Sequence, residues 1–237
     1  MSRSKNILMI ATYVLGMFIF PIFLSVIWIS FDVIRGTPLE DINELTLTAY
    51  VNFIVYGIIT IIAVLIFRRH LIEQFKKIGS PLKFIGIVLL GWLVLLALLL
   101  SSNMIVMLIL GEAETAGNQQ AVESIMSSYP LLMILPVVLF APLVEEIVFR
   151  LVIMDWLKSR PWVAILVSSF LFGLIHVLGA LVTLDLRGLI FILPYTAMGL
   201  PLGFIYYKTK NIWYPIGIHI LQNLFAAIVM LISFAVL

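Results

Sequence analysis

The chain has 237 residues, 63% of them hydrophobic and 11% charged, with a mean hydropathy of +1.21 and a formal net charge of +2. Roughly a quarter of the residues in a soluble domain are charged, so this composition excludes one and describes a polytopic, all-α membrane protein. A small net charge without a basic stripe interleaved with aromatics excludes a nucleic-acid partner, and the absence of cysteine excludes disulfides and thiolate metal sites.

A hydrocarbon core about 30 Å thick needs about 20 apolar residues per helix. On that ruler seven spans are predicted, at residues 7–29, 48–67, 84–110, 131–157, 162–178, 189–207 and 212–237. The first follows Arg3 and Lys5 as a signal peptide would, but it is too long for an h-region and residues 25–30 offer no small-residue cleavage site. It is expected to stay as the first span. After the second span Leu71, Ile72, Phe75 and Ile78 recur at helical spacing among basic residues, which predicts either a short interfacial helix or a plain basic loop. His70 reads as a solvated bystander there. The third and fourth spans are long and expected to tilt or break. Residues 111–128 are polar and acidic, and read as a flexible outer connection. In the fourth span Pro136 and Pro142 each remove a backbone donor and leave carbonyls to be satisfied elsewhere. No repeat or linker divides the chain, so one domain over residues 1–237 is expected, with 1–129 as helices that could select substrate and 130–237 as a catalytic core.

Loop charges orient this layout. Arg3, Lys5, Arg68, Arg69, Lys76, Lys77, Lys83, Lys158, Arg160, Lys208 and Lys210 fall on one side of alternating spans. Arg35 and Arg187 fall on the other, together with Asp32, Glu40, Asp41, Glu44, Glu112, Glu114, Glu123 and Asp185. The positive-inside rule then puts the N-terminus in the cytoplasm and the C-terminus outside.

The fourth span carries Glu145, Glu146 and Arg150 inside an apolar run. Ionisable groups in hydrocarbon are costly, so they call for a partner, a wet cavity or a function. Glu146 and Arg150 stand four apart in the favoured ion-pair order. Glu145 points about 100° away and needs a partner on another segment. Two of the three histidines lie inside later spans, His176 four residues after Phe172 and His219 four before Asn223. Each alone is equally well read as helix-packing glue. Together, a free carboxylate, two imidazoles and a carboxamide can perform hydrolysis. The carboxylate takes a proton from water, an imidazole holds that water, and the second imidazole with the carboxamide donates to an oxyanion.

At these residues the chain resembles the CPBP family of intramembrane proteases, also called the Abi or type II CAAX prenyl endopeptidase family. Its marks, Glu-Glu-x-x-x-Arg, Phe-x-x-x-His and His-x-x-x-Asn, stand here at Glu145 to Arg150, Phe172 to His176 and His219 to Asn223 without departure. The resemblance covers roughly residues 130–225. It implies a peptide-bond hydrolase in which Glu145 and His176 activate water, His219 and Asn223 form the oxyanion pocket, and Glu146, Arg150 and Phe172 support them. The family was first supposed to use zinc and is now more often regarded as a metal-free glutamic protease. No cofactor is therefore expected, and the zinc alternative, with His176, His219 and Glu145 as ligands, stays open because no H-E-x-x-H spacing is present to decide it. The expected partners are membrane lipid and a hydrophobic or membrane-associated peptide, cleaved in a bacterial plasma membrane during peptide maturation or bacteriocin immunity; a CAAX-type prenyl-protein tail is the alternative. A proton-coupled transporter and a non-catalytic peptide-binding membrane protein are the readings of other classes, the first weakened by the absence of an inverted repeat.

Overall fold

The computed structural model describes residues 2–236; Met1 and Leu237, the ends of the expected domain and last span, lie outside the described residues. The described residues form helices and no strand. In chain order they are α1 (Arg3–Ile34), α2 (Glu44–Lys76), α3 (Pro81–Leu110), α4 (Gly117–Ser128), α5 (Pro130–Trp156), α6 (Pro161–His176), α7 (Leu178–Thr183), α8 (Leu186–Thr209) and α9 (Trp213–Val236). Six of these, α1, α2, α3, α5, α8 and α9, are long and apolar enough to cross a membrane, and α6 is a shorter apolar helix. Large apolar side chains such as Ile61, Leu93, Leu108, Leu166 and Ile232 are exposed around the bundle. That surface is stable only against lipid, and the chain is a multi-pass membrane protein.

Local chemistry sets the helix ends. Pro81, Pro130 and Pro161 open their helices at the first turn, where a missing N–H costs nothing. Asn43 caps α2 by accepting from the Thr46 N–H at 2.9 Å. Gly111, at φ 79°, closes α3 in the left-handed conformation that a side chain would strain.

Three elements differ from the expectations. The apolar residues after Arg69 form neither a separate interfacial helix nor a loop, because α2 runs unbroken through them to Lys76. The turn before α9 docks onto these last residues. Asn211 Nδ2 donates to the Gln74 carbonyl at 2.8 Å, the Ile212 N–H to Gln74 Oε1 at 2.5 Å, and Trp213 Nε1 to the Leu71 carbonyl at 2.9 Å. This burial of Leu71 and Gln74 extends the helix. His70 is no solvated bystander either, since its Nε2 lies 2.6 Å from Gln74 Nε2 and it is only partly exposed. The outer connection is likewise not a plain loop. It holds α4, whose Ile125 and Met126 are buried against Ala49, Met133, Ala227 and Met230.

The fifth span is short. It ends at His176 after 16 residues, about 24 Å at 1.5 Å per residue, against a core of about 30 Å. Its end therefore lies within the bundle. The close approach of α6 and α8 depends on two glycines. A Cβ at Gly199 would lie 2.8 Å from Ser169 Cα, and one at Gly173 would lie 3.0 Å from the Ile192 carbonyl. Small residues at such a crossing let two backbones pack directly.

Candidate active site

The two carboxylates on α5 take different partners. Arg150 Nε donates to Glu146 Oε2 at 3.0 Å, as the four-residue spacing predicts, and Arg150 Nη1 donates to Ser168 Oγ at 2.6 Å. Ser168 Oγ in turn donates a hydrogen bond to the Phe149 carbonyl at 2.9 Å. Glu146 and Arg150 are both fully buried. A pair this deep holds only because each charge neutralises the other and most of its donors are bonded; Arg150 Nη2 is the exception. The guanidinium carbon lies 5.6 Å from the Phe172 ring centre and 6.0 Å from that of Phe149.

Glu146 has a second contact that the sequence reading did not include. Its Oε1 lies 3.0 Å from His219 Nδ1. A carboxylate oxygen accepts, so Nδ1 carries the proton and the free electron pair of the neutral ring sits on Nε2. That nitrogen faces Glu145, 3.8 Å from its Oε2. Glu145, without a partner on its own helix, thus meets an imidazole from α9. The histidine is held from behind by the neighbouring carboxylate of the same Glu-Glu pair.

His176 is fixed by its own helix. Its Nδ1 donates to the Phe172 carbonyl at 2.7 Å, which again leaves Nε2 as the bare nitrogen. Phe172 spaces the two histidines: its ring centre lies 4.5 Å from that of His176, 5.7 Å from His219 and 5.4 Å from Phe149. Tyr195 from α8 stacks on His176, with ring centres 4.4 Å apart.

Asn223 stands one turn beyond His219 and donates its Nδ2 to the Val137 carbonyl at 2.8 Å. The local backbone explains this partner. Residues Pro136–Phe140 form a π-helical turn, in which each carbonyl looks to the N–H five residues on. For Val137 that residue is Pro142, which has none. Asn223 supplies the missing donor, and one amide hydrogen and the side-chain oxygen remain for other partners. A second π-helical stretch, Ile147–Ile153, follows the Glu pair. Wider turns advance less per residue, which shortens the climb from Trp156 to Glu145 and helps bring the carboxylates level with His219.

Glu145, His176, His219 and Asn223 all line one cavity of about 640 Å³. Tyr13 of α1 and Tyr56 of α2 line it as well and are electrostatic neighbours of Glu145. Neither stood out in the sequence, where a tyrosine in an apolar span looks like any other aromatic. Among the described residues no three His, Asp or Glu side chains converge as a metal-ligand set. His219 Nδ1 is engaged by Glu146, and His176 is held on Phe172.

Residues 127–225 match the family model described as "Type II CAAX prenyl endopeptidase Rce1-like". The resemblance carried by the three motifs is borne out over that segment. The chain is 36% identical over 125 residues, 52% of its length, to the protein named "Putative membrane peptidase YdiL" of Bacillus subtilis (strain 168), and this match spans 47% of that relative, about half its length. It is 26% identical over 190 residues, 79% of its length, to "UPF0177 protein YvdC" of Lactococcus lactis subsp. lactis (strain IL1403), covering 68% of that chain. No solved structure matches the chain.

Proposed function

We propose that this protein is an intramembrane endopeptidase that hydrolyses a peptide bond in a hydrophobic or membrane-associated peptide, with Glu145 as general base. The observation that carries the reading is the facing of Glu145 Oε2 and His219 Nε2 at 3.8 Å in the cavity, with Glu146 orienting the ring from the far side. That gap is too long for a direct hydrogen bond but suits a shared water. A water oxygen about 2.8 Å from each atom would subtend an angle of about 85° between them, so one molecule can give a hydrogen to Glu145 and accept from His219 once Nε2 carries a proton.

The reaction follows from these positions. The water oxygen attacks the scissile carbonyl carbon while its proton passes to Glu145, with His176 Nε2 available to hold the second hydrogen. The carbonyl π electrons move onto oxygen. A His219 ring whose Nδ1–H rests on Glu146 can carry a second proton on Nε2, and in that form it donates to the oxyanion beside the remaining N–H of Asn223. Collapse expels the amine, which takes the proton from Glu145. One water is consumed, a carboxylic acid and an amine are released, and the acid then gives its proton to solvent.

We propose that the reaction needs no metal, because assigning Glu145 to a zinc ion removes the base. The placement is proposed to be a bacterial plasma membrane, with the N-terminus cytoplasmic and the C-terminus outside, on the loop charges. The substrate is proposed to be a hydrophobic peptide in peptide maturation or bacteriocin immunity, with a prenylated CAAX tail as the alternative. The test is purified protein incubated with a library of membrane peptides, with fragments read by mass spectrometry. Glu145→Gln should keep the fold and lose roughly 10²- to 10⁴-fold in rate. Wild-type turnover in that variant would refute the assignment.

A further inference from the structure

The cavity is one-sided. Residues 2–12, 57–98, 146–174 and 199–218 contribute nothing to its lining. These are the halves of the long helices nearest the basic loops, which hold Arg3, Arg68, Lys83, Lys158 and Lys208. Directly beneath the site that half is solid. Leu151, Val152, Phe172, Leu202, Ile212 and Ile216 are each at most 2% exposed and belong to one continuous core.

At the opposite end the cavity reaches the surface. Glu114, Thr115 and Asn118, all exposed, line its mouth, and the half-buried Gln119 and Asn52 continue the polar wall, to which the exposed Asn103 adds a third carboxamide. Carboxamides along a route through apolar helices are what a water path to a buried carboxylate requires, since bulk hydrocarbon offers Glu145 no proton exchange. The short helix α6 contributes to the opening. It stops at His176, so the remaining depth on that side is not filled by a full-length span.

We propose that the catalytic cavity is hydrated and loaded only from the acidic end of the bundle, the outer face of the membrane, so that the substrate is a peptide segment presented outside the cytoplasm. The cleavage part of this rests on the peptidase reading; the sidedness does not. A cytoplasmic peptide, including a prenylated C-terminal tail, would meet the packed half.

The sequence contains no cysteine, so single cysteines can be introduced one at a time and labelled with a charged, membrane-impermeant maleimide. Ala226→Cys on α9 and Ala141→Cys on α5 sample the inner wall, Asn118→Cys the mouth, Glu40→Cys the acidic end and Lys77→Cys the basic end. In right-side-out membrane vesicles the first four should label and Lys77→Cys should not. In inverted vesicles only Lys77→Cys should label, and detergent denaturation should expose all five. Inner-wall cysteines that label together with Lys77→Cys, or from neither side in both variants, would overturn the proposal. So would labelling of Glu40→Cys from the inverted side alone. Labelling requires no turnover. Purified protein that cleaves no peptide therefore sinks the peptidase reading without touching sidedness, and an active enzyme labelled from the basic end does the reverse.

Discussion

Glu146 has two partners, and separating them tests whether it only holds the bundle together or also serves His219. Glu146→Gln leaves Arg150 fully buried with its counter-charge gone, a change that costs about 3 to 5 kcal/mol. At roughly 2 to 4 °C per kcal/mol for a chain of this size, the melting temperature should fall by roughly 6 to 20 °C. Adding Arg150→Met removes the stranded cation and fills its volume with an apolar side chain, and such replacements are commonly neutral or stabilising. The double variant should therefore recover most of the lost melting temperature. Its activity should not recover, because a neutral amide cannot stabilise the charge that His219 carries when it donates to the oxyanion. Turnover should stay down by roughly 10² or more. The assays are tryptophan-fluorescence melting in detergent and cleavage of a quenched fluorogenic membrane peptide. If activity returned with stability, the 3.0 Å contact between Glu146 and His219 would have no part in the chemistry.

Gly199→Ala should cost about 1 to 3 kcal/mol and lower activity, because its Cβ meets the Ser169 backbone, which cannot step aside; Gly86→Ala in α3, with open space around it, should be neutral or slightly stabilising in the same melting experiment. Exhaustive chelation of purified enzyme should leave most of its activity, with metal analysis finding far less than stoichiometric zinc; activity lost on chelation and regained with zinc would restore the metalloprotease alternative. Asn223→Ala should leave the Val137 carbonyl without a donor and lower stability by about 1 to 3 kcal/mol, together with a drop in kcat larger than any change in KM. A kcat unchanged in the surviving folded protein would confine Asn223 to packing.

The site was legible in the sequence to the extent that its parts are costly to place in a membrane. Glu145, Glu146, Arg150, His176 and His219 are ionisable residues inside apolar runs, and helical spacing alone pairs Glu146 with Arg150 and Phe172 with His176. The contact between Glu146 and His219 was not legible, because it joins residues 73 positions apart and no local rule relates two helices' rotation. Tyr13 and Tyr56 escaped for a different reason. Their type is common in membrane spans, and only the cavity distinguishes them from aromatics that face lipid. The spans themselves were found by hydropathy, yet their ends were not. The extension of α2 to Lys76 depends on Gln74 and Leu71 being covered by the turn before α9, and the helix over residues 117–128 depends on Ile125 and Met126 reaching a distant apolar cluster. Both are tertiary effects acting on segments whose composition reads as loop.

Pro142 of α5 links the local and the distant. Pro142 cannot donate to Val137, and in an isolated helix that carbonyl would be left in hydrocarbon at a cost of a few kcal/mol. The chain satisfies it with Asn223, four residues after His219 on the same helix. Fixing Asn223 on Val137 sets the height and rotation of α9 relative to α5, and that choice brings His219 between the two glutamates. A proline eight residues before Arg150 thus acts as a register mark for the catalytic pair. On the other side of the site a backbone carbonyl also orients a motif residue, since His176 Nδ1 donates to the Phe172 carbonyl near the end of the short helix α6. In both places a motif side chain is oriented by a backbone carbonyl, and at Val137 that carbonyl is one a helix defect leaves over. Substitutions at Pro142 should accordingly act on activity through α9, although the residue has no chemistry of its own.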